Sequence, residues 1–233
     1  MRRIGWGAGG RADYDPRMLS KPAETAQPRK NARAPRQADA AAPAPKNERA
    51  QLTPDDWVQA ARELLIHRSI DAVRVDVLAK IMSVTRGSFY WHFTDRNDLL
   101  QRVLLSWQEE QTEQIIARYR KKGVEPRELI RELVELPFHG RAAMKGSSVE
   151  LAIRAWARRD EMARAIVDKV DAKRLEYIEE CFTSLGFSAP EAKSRAFLLY
   201  CYMQSESLFR NQGSAEDKES RRKFVAGILL AGG

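Results

Sequence analysis

The chain has 233 residues, of which 43% are hydrophobic, so it can fill the core of one ordinary domain and a small one. It has no run of about 18 apolar residues and no apolar region of a secretory signal, so we expect a cytoplasmic protein with no membrane partner. Its two cysteines, Cys181 and Cys201, match neither a metal site nor a disulfide framework, and we predict that they are reduced core thiols.

Most of the net charge of +8 lies in the first 50 residues. Residues 1–50 hold 11 Lys/Arg and 5 Asp/Glu, a balance of +6, whereas the other 183 residues hold 29 and 27, a balance of +2. No large apolar residue occurs between Ser20 and Ala50, so we predict a disordered, basic, Ala/Pro-rich tail over 1–50. The tail is a basic arm that adds phosphate affinity, a solvated extension, or an artefact of starting translation upstream of Met18.

The first predicted helix begins at Thr53, where an N-cap residue, a proline and two acidic residues stand in order. It ends near Arg68. One buried face is indicated by the spacing of Trp57, Ala61, Leu64 and Leu65. Two short helices follow, over Val75–Met82 and Arg86–His92, with only three residues between them. In the second helix of this domain we expect an inward face of Val75, Leu78, Ala79 and Met82.

The rest of the chain shows amphipathic helical patterns and no alternating strand pattern. A helix over Arg96–Tyr119 is followed by Lys121, Lys122 and Gly123, which favour a helix end. Further helices are predicted over 126–138, 147–157, 160–185, 189–211 and 216–230. The prediction is therefore an all-α protein, in which three N-terminal helices precede a larger helical domain.

Two short helices joined by a tight turn form a helix-turn-helix, whose second helix can enter the major groove of DNA. We expect Val84 to pack the turn, Thr85 to cap the reading helix and Gly87 to allow close approach to DNA. Arg86 and Ser88 would then stand beside the bases. The remaining predicted contacts are with the DNA backbone, from Tyr90, Trp91, His92 and Arg96. Phe89 and Phe93 fit the core, whereas Trp91 is the more exposed aromatic residue.

The segment from Leu78-Ala79 through Val84-Thr85-Arg86-Gly87-Ser88-Phe89-Tyr90-Trp91-His92-Phe93 to Leu99-Leu100 resembles the signature of the TetR family of bacterial regulators. The resemblance covers residues 51–111, with the motif at about 74–93, and leaves 112–233 as the regulatory and dimerisation domain. It implies a homodimer, a palindromic double-stranded DNA operator and a ligand that releases the DNA. It also implies that Tyr90, His92 and Arg96 hold phosphates while Arg86 and Ser88 read bases.

The chain departs from the usual pattern of that family at three places. Ser69 and Ser83 replace glycines that close helices, where a left-handed residue is commonly needed and a non-glycine residue costs roughly 1 kcal/mol. Met82 stands where alanine is usual. Arg74 replaces a threonine that is expected to bond a phosphate, and its long cationic side chain can still reach one.

The regulatory half specifies little about its ligand. Eight residues on or near its apolar stripes are candidates to line a small-molecule cavity, although each also fits a plain core: Trp107, Phe138, His139, Trp156, Tyr177, Cys181, Tyr200 and Met203. Arg154 and Glu206 could orient a ligand. The last two helices carry more apolar surface than one contact needs, so we expect them to pair with a second subunit in a four-helix interface.

Three rival functions compete with a ligand-released repressor. An enzyme is disfavoured because no catalytic set, glycine-rich phosphate loop or metal-ligand spacing occurs, and no cofactor is expected. A helical adaptor that binds a small molecule or protein without specific DNA recognition remains open, because residues 51–100 hold six Lys/Arg against seven Asp/Glu. An activator remains open as well as a repressor. In the preferred mechanism, a ligand moves the Arg96–Tyr119 helix and changes the spacing of two DNA-binding domains.

Overall fold

The computed structural model describes residues 52–138, 140–209 and 212–232, with the backbone alone at 138 and 140–144. Helices make up the regular structure of these residues, and they contain no strand, as the sequence predicts. The predicted tail over 1–50 and the candidate ligand residue His139 lie outside the described residues. The α-helices are α1 (Pro54–His67), α2 (Val75–Ile81), α3 (Arg86–Tyr90), α4 (Arg96–Gln108), α5 (Gln114–Lys122), α6 (Pro126–Glu135), α7 (Gly140–Ala157), α8 (Glu161–Ser184), α9 (Ala189–Leu208) and α10 (Ala215–Leu230).

Helix α1 begins with a complete capping box. The Thr53 hydroxyl accepts a hydrogen bond from the backbone N–H of Asp56, and the Asp56 carboxylate accepts one from the backbone N–H of Thr53 at 2.7 Å. These bonds hold the pKa of Asp56 below its ordinary value. Trp57, Ala61 and Leu65 are buried as predicted, and Leu64 is half-buried.

The long helix predicted over Arg96–Tyr119 is interrupted. Between α4 and α5 the chain forms one π-helical turn, Glu109–Glu113, which we call the π turn. A π turn contains an extra residue, so it rotates the side chains that follow it around the helix axis. Helix α5 then ends at Lys122 and is followed by Gly123, whose φ of 59° is left-handed as a glycine stop requires.

Most other helix boundaries agree with the predictions within a few residues. The largest difference is at the start of α7. Helix α6 ends at Glu135 and is followed by a 3₁₀ turn, Leu136–Phe138, and α7 begins at Gly140 instead of 147. Helix α9 ends at Leu208, three residues short of the predicted end.

Two apolar cores hold the described helices. The first surrounds Trp57, Phe89 and Trp107 and joins α1 to α4 with α7 and the first half of α8. The second surrounds Ile130, Phe182 and Leu199 and joins α5, α6, the second half of α8, α9 and α10. Because the first core contains residues from both predicted domains, α1 to α3, which we call the head, pack directly on the regulatory half.

Of the two serines that replace helix-closing glycines, only Ser83 is left-handed. Its φ is 57°, and it is the single non-glycine residue with positive φ among those that the structure describes. Ser69 has φ −165° and ψ 173°, which is ordinary extended backbone, so the expectation of strain there is wrong. The chain leaves α1 through Arg68 at φ −132°, without a left-handed residue.

The prediction of two core thiols is half right. Cys181 is buried, and burial raises the pKa of its thiol to about 11. Cys201 is free as predicted but exposed, because it lies on the outer side of α9. None of the described helices is long and apolar enough to cross a membrane.

Candidate DNA-binding interface and regulatory cavity

Helix α3 is fixed on the head by one buried side chain. The Phe89 ring packs edge-on against Trp57 and stacks with Phe93, with ring centroids 5.3 Å apart in both pairs. Phe89 is fully buried and Phe93 nearly so, which confirms both as core residues. This packing orients a helix of only five residues, too short to be stable alone, with its opposite side toward solvent.

The solvent side of α3 carries the predicted contact residues. Arg86 and Gly87 are exposed and Ser88 is half-exposed at the helix start. Beyond the helix, 86% of Trp91 is exposed, an unusual fraction for tryptophan, which is largely buried in most proteins. Tyr90 is also exposed, and His92 is half-buried beside Phe93. The structure therefore brings these side chains to one end of the head.

Thr85 begins α3 differently from the prediction. Thr85 occupies the N-cap position, but its hydroxyl makes no capping hydrogen bond. A Cβ on Gly87 would lie 3.6 Å from the Thr85 hydroxyl oxygen, an ordinary van der Waals distance. The head therefore has room for a Cβ at 87, and the fold itself does not require glycine at this position.

Two of the predicted phosphate contacts already have internal partners. Arg74 is exposed at the start of α2 and bonds the carboxylate of Asp76 at 3.0 Å. Arg96 points inward, where its guanidinium donates to the carbonyl oxygens of Val73 and Ile70 at 2.5 and 2.7 Å. In this position Arg96 ties α4 to the turn between α1 and α2, and a phosphate contact from it stays a prediction.

A cavity of about 500 Å³ opens in the regulatory half, and we call it the regulatory cavity. The π turn, α5, the end of α6, α7, α8 and α9 enclose it. Three of the eight candidate ligand residues line it: Tyr177, Tyr200 and Met203. A cavity of this size can hold a drug-sized molecule.

Three of the other candidates, Trp107, Trp156 and Cys181, do not line this cavity. Trp107 is fully buried in the first core, with the Arg174 guanidinium 5.7 Å from its ring centroid. Trp156 is buried in the same core, and Cys181 is buried beside Tyr177, whose carbonyl oxygen accepts from its thiol. These three are core residues because the apolar helix faces on which they lie pack against neighbouring helices. The side chain of Phe138 is outside the described part, as is all of His139.

An ion network that the sequence analysis did not predict forms the inner end of the cavity. Glu150 on α7 accepts from Arg154 and from Arg174 of α8, and Arg154 also bonds Asp171. Burial alone would raise the pKa of Glu150, but the charges and hydrogen bonds of the two arginines outweigh it, and the pKa is lowered. The Tyr200 hydroxyl donates to Asp171 and accepts from both arginines.

The π turn connects this network with the head. On one side, Arg174 donates to the hydroxyl of Thr112 at 3.0 Å and to the carbonyl oxygen of Gln111 at 3.1 Å. On the other side, Arg62 of α1 bonds Glu110. Glu110, Gln111 and Thr112 all line the cavity. The sequence did not indicate these three as cavity residues, because their positions depend on the π turn.

The outer faces of α9 and α10 carry large exposed apolar side chains. On α9 these are Phe197 and Leu198, and on α10 they are Phe224 and Ile228, each more than half exposed. Soluble monomers seldom leave such a cluster uncovered.

Glu206, a candidate to orient a ligand, is buried in an ion pair with Arg221.

Comparison with protein families identifies the head. Residues 58–103 match the model described as "Bacterial regulatory proteins, tetR family". Among curated proteins, the HTH-type transcriptional regulator TtgR of Pseudomonas putida is 30% identical over 92 residues, which are 40% of this chain and 44% of TtgR. SrpR, an HTH-type transcriptional regulator of the same species, is 36% identical over 25% of this chain and 28% of its own. The chain thus spans less than half the length of these relatives.

Solved structures share the fold over a longer stretch. A transcriptional regulator from Rhodococcus sp. Rha1 superposes with a TM-score of 0.64 at 19% identity, over 78% of this chain and 97% of that one. NalD, the secondary repressor of the MexAB-OprM multidrug efflux pump in Pseudomonas aeruginosa, superposes with a TM-score of 0.55 at 16% identity, over 77% and 95%. At these identities the likeness shows the fold alone.

Proposed function

Because the helix-turn-helix domain of this chain belongs to the TetR family, we propose that the protein is a sequence-specific DNA-binding transcriptional regulator of the cytoplasm. We propose further that it is a repressor, which a small-molecule ligand releases from a palindromic operator. The observation that carries the proposal is the outward side of α3, where Arg86, Ser88, Tyr90 and Trp91 surround a glycine that the fold itself does not require.

The proposed DNA contacts divide by chemistry. The Arg86 guanidinium has the fork geometry that pairs with O6 and N7 of guanine, and the Ser88 hydroxyl can bond either kind of base edge. Tyr90 and His92 offer donors to phosphates, and the Trp91 ring can lie along the sugars. Since the head has no excess of basic residues, its affinity depends on these local contacts and falls as salt rises.

Ligand response is proposed to pass through the π turn. Glu110, Gln111 and Thr112 form one wall of the cavity, and they lie in the π turn that directly follows α4, the helix packed against α1 of the head. A ligand that presses on this wall favours a different position of α4 and therefore of α3. A difference of about 1–3 kcal/mol between the two positions is enough to change operator affinity by roughly 5- to 150-fold.

The apolar faces of α9 and α10 are the proposed homodimer interface. Paired with the same faces of a second copy, Phe197, Leu198, Phe224 and Ile228 become covered in a four-helix arrangement. Two heads related by a twofold axis read a palindrome whose half-sites lie about 34–36 Å apart, or a multiple of that distance.

Selection from a random duplex pool tests sequence-specific binding without knowledge of the operator. We expect the full chain to enrich a palindromic sequence, and Arg86→Ala to lose the preference at one base pair of each half-site. Lys121→Ala, which removes an exposed cation at the end of α5, is the matched control and should enrich the same sequence. Recovery of no common sequence by the wild-type chain would reject the proposal and favour the adaptor function.

A further inference from the structure

Among the side chains that the structure describes, the charged groups lining the regulatory cavity sum to zero. These groups are Glu110, Arg118, Glu150 and Arg174. Arg118 is exposed and therefore hydrated, with its guanidinium 6.0 Å from the Tyr119 ring centroid. Glu110 is held by Arg62. Neither of these charges is left buried and unpaired for a ligand to neutralise.

The two inner charges, Glu150 and Arg174, make more hydrogen bonds than Glu110 and Arg118. The carboxylate of Glu150 accepts from Arg154, Arg174 and the side-chain amide of Gln204, at distances of 2.8 to 3.0 Å. Nε and Nη2 of Arg174 donate to the π turn, and Nη1 donates to the Tyr200 hydroxyl as well as to Glu150. The lowered pKa of Glu150 keeps this carboxylate ionised at neutral pH. Each inner charge is therefore already balanced by its neighbours.

A charged ligand would meet an unfavourable environment in such a site. Its ionised group would lose hydration on entry. No unpaired charge of opposite sign lies at the inner end of the cavity to offset the cost of that desolvation. It would also compete with Glu150 or Arg174 for hydrogen bonds that stabilise the fold. An uncharged molecule avoids both penalties.

The rest of the wall fits a mainly apolar body. Ile116, Leu133, Ile178 and Met203 supply aliphatic surface, and their neighbours include neutral hydroxyl and amide groups at Ser147 and Gln204. This combination of an apolar wall with a small number of neutral polar groups is typical of sites for drug-sized ligands.

We propose that the regulatory cavity selects an uncharged amphipathic ligand, with an apolar or aromatic body against the aliphatic wall and a hydroxyl or carbonyl group at the inner polar end. The Glu150–Arg174 pair determines this specificity because it excludes ions of either sign. Only the role of this ligand in releasing DNA rests on the proposed function, since ligand binding itself can be measured without DNA.

Three molecules of the same shape test the charge selectivity. We would measure the binding of 4-biphenylmethanol, biphenyl-4-carboxylate and 4-biphenylmethylammonium to the full chain by calorimetry at pH 7. The alcohol should bind at least about tenfold more tightly than either ion, as an unbalanced buried charge requires. Equal or tighter binding of an ion, or binding of none of the three, would overturn the inference.

A substitution of Glu150 tests which residues set the preference. Glu150→Gln removes one negative charge and leaves Asp171 as the single anion beside the cations Arg154 and Arg174. The affinity for biphenyl-4-carboxylate should therefore rise by about tenfold relative to that for the alcohol. Glu128→Gln removes an exposed carboxylate from α6 and should leave the ratio unchanged. An unchanged ratio in folded Glu150→Gln would overturn the assignment to this pair. If that variant does not fold, the three wild-type affinities decide. Selection of an operator from the duplex pool is a separate experiment, so failure of the proposed DNA binding can be told apart from failure of the proposed ligand selectivity.

Discussion

The guanidinium of Arg62 donates hydrogen bonds to both carboxylate oxygens of Glu110, at 2.8 and 3.0 Å. Arg62 lies on α1 of the head and is almost fully buried, whereas Glu110 lies in the π turn and lines the regulatory cavity. A third hydrogen bond joins Arg62 to the hydroxyl of Ser106 at 2.8 Å. One ion pair thus joins the cavity wall to the DNA-binding head.

Replacing Arg62 by methionine should weaken the coupling between cavity and operator. Methionine keeps the apolar packing of the side chain but cannot hold Glu110, so movement of the π turn no longer pulls on α1. With 4-biphenylmethanol as the probe, the ratio of operator affinities without and with ligand should fall at least about threefold toward one. Stability should fall by about 1 kcal/mol, because Glu110 is partly exposed.

The control for this change is another ion pair between α1 and the regulatory half. Lys145 on α7 bonds Glu63 at 2.7 Å, but both side chains are exposed and neither lines the cavity. Lys145→Met should leave the ratio of affinities unchanged. An unaltered ratio in Arg62→Met, or an equal loss in both variants, would contradict transmission through Glu110.

Ser83→Gly should stabilise the protein. Ser83 has φ 57°, a conformation that costs a residue with a Cβ about 1 kcal/mol relative to glycine. The melting temperature should therefore rise by roughly 2–4 °C. Ser69→Gly provides the comparison, because Ser69 is extended and glycine there only increases the freedom of the unfolded chain. A rise in both variants, measured by calorimetry, would show that strain at Ser83 is not the cause.

Phe224→Glu should dissociate the proposed homodimer. Phe224 is 69% exposed on α10, and a carboxylate there would be buried without a partner when two copies pair. Sedimentation should give a dimer for the wild-type chain and a monomer for the variant. Leu105→Glu changes another exposed apolar residue, on α4, and should remain dimeric. A wild-type monomer, or a dimer that survives Phe224→Glu, would exclude this interface.

The ion network should make stability depend on acid pH. Burial alone would raise the pKa values of Glu150 and Asp171, but their arginine partners and hydrogen bonds outweigh it and lower both. A lowered pKa in the folded state contributes stability above the ordinary carboxylate range. That contribution is lost as pH falls from about 4 through the folded values, where the unfolded state binds more protons.

Urea unfolding at pH 7, 5, 4 and 3 measures this dependence. The midpoint of the wild-type chain should change little between pH 7 and 5 and fall below pH 4. Glu150→Gln should start from a lower midpoint and lose less of it in acid, whereas Glu128→Gln should follow the wild type. Parallel curves for all three proteins would show that the network does not govern acid stability.

The head could be predicted from the sequence because its signals are local. The N-cap at Thr53, the apolar spacing of α1 and the aromatic alternation from Phe89 to Phe93 each determine a local structure. The exposure of Trp91 also followed from its place on the α3 helix wheel. Capping by Thr85 was wrong in detail, because an N-cap position does not ensure a hydroxyl bond.

The cavity could not be predicted in the same way. The π turn left only a weak signal, since the buried positions step from Trp107 to Thr112, five residues apart, and threonine is not read as apolar. Arg174 and Glu150 resemble solvated charges in sequence, because their burial depends on partners from other helices. Aromatic stripes fit a core as well as a cavity, and Trp107 and Trp156, both candidate ligand residues, lie in the first core.

A footprint on the DNA that flanks the gene for this chain tests the central claim most directly. With purified full chain across a salt series, we predict a protected palindrome whose binding weakens as salt rises, and loss of that protection with Arg86→Ala but not with Lys121→Ala. Protection without sequence preference that survives Arg86→Ala and disappears on removal of residues 1–50 would contradict the claim. In that case the DNA affinity would belong to the tail, and α3 would not be a reading helix.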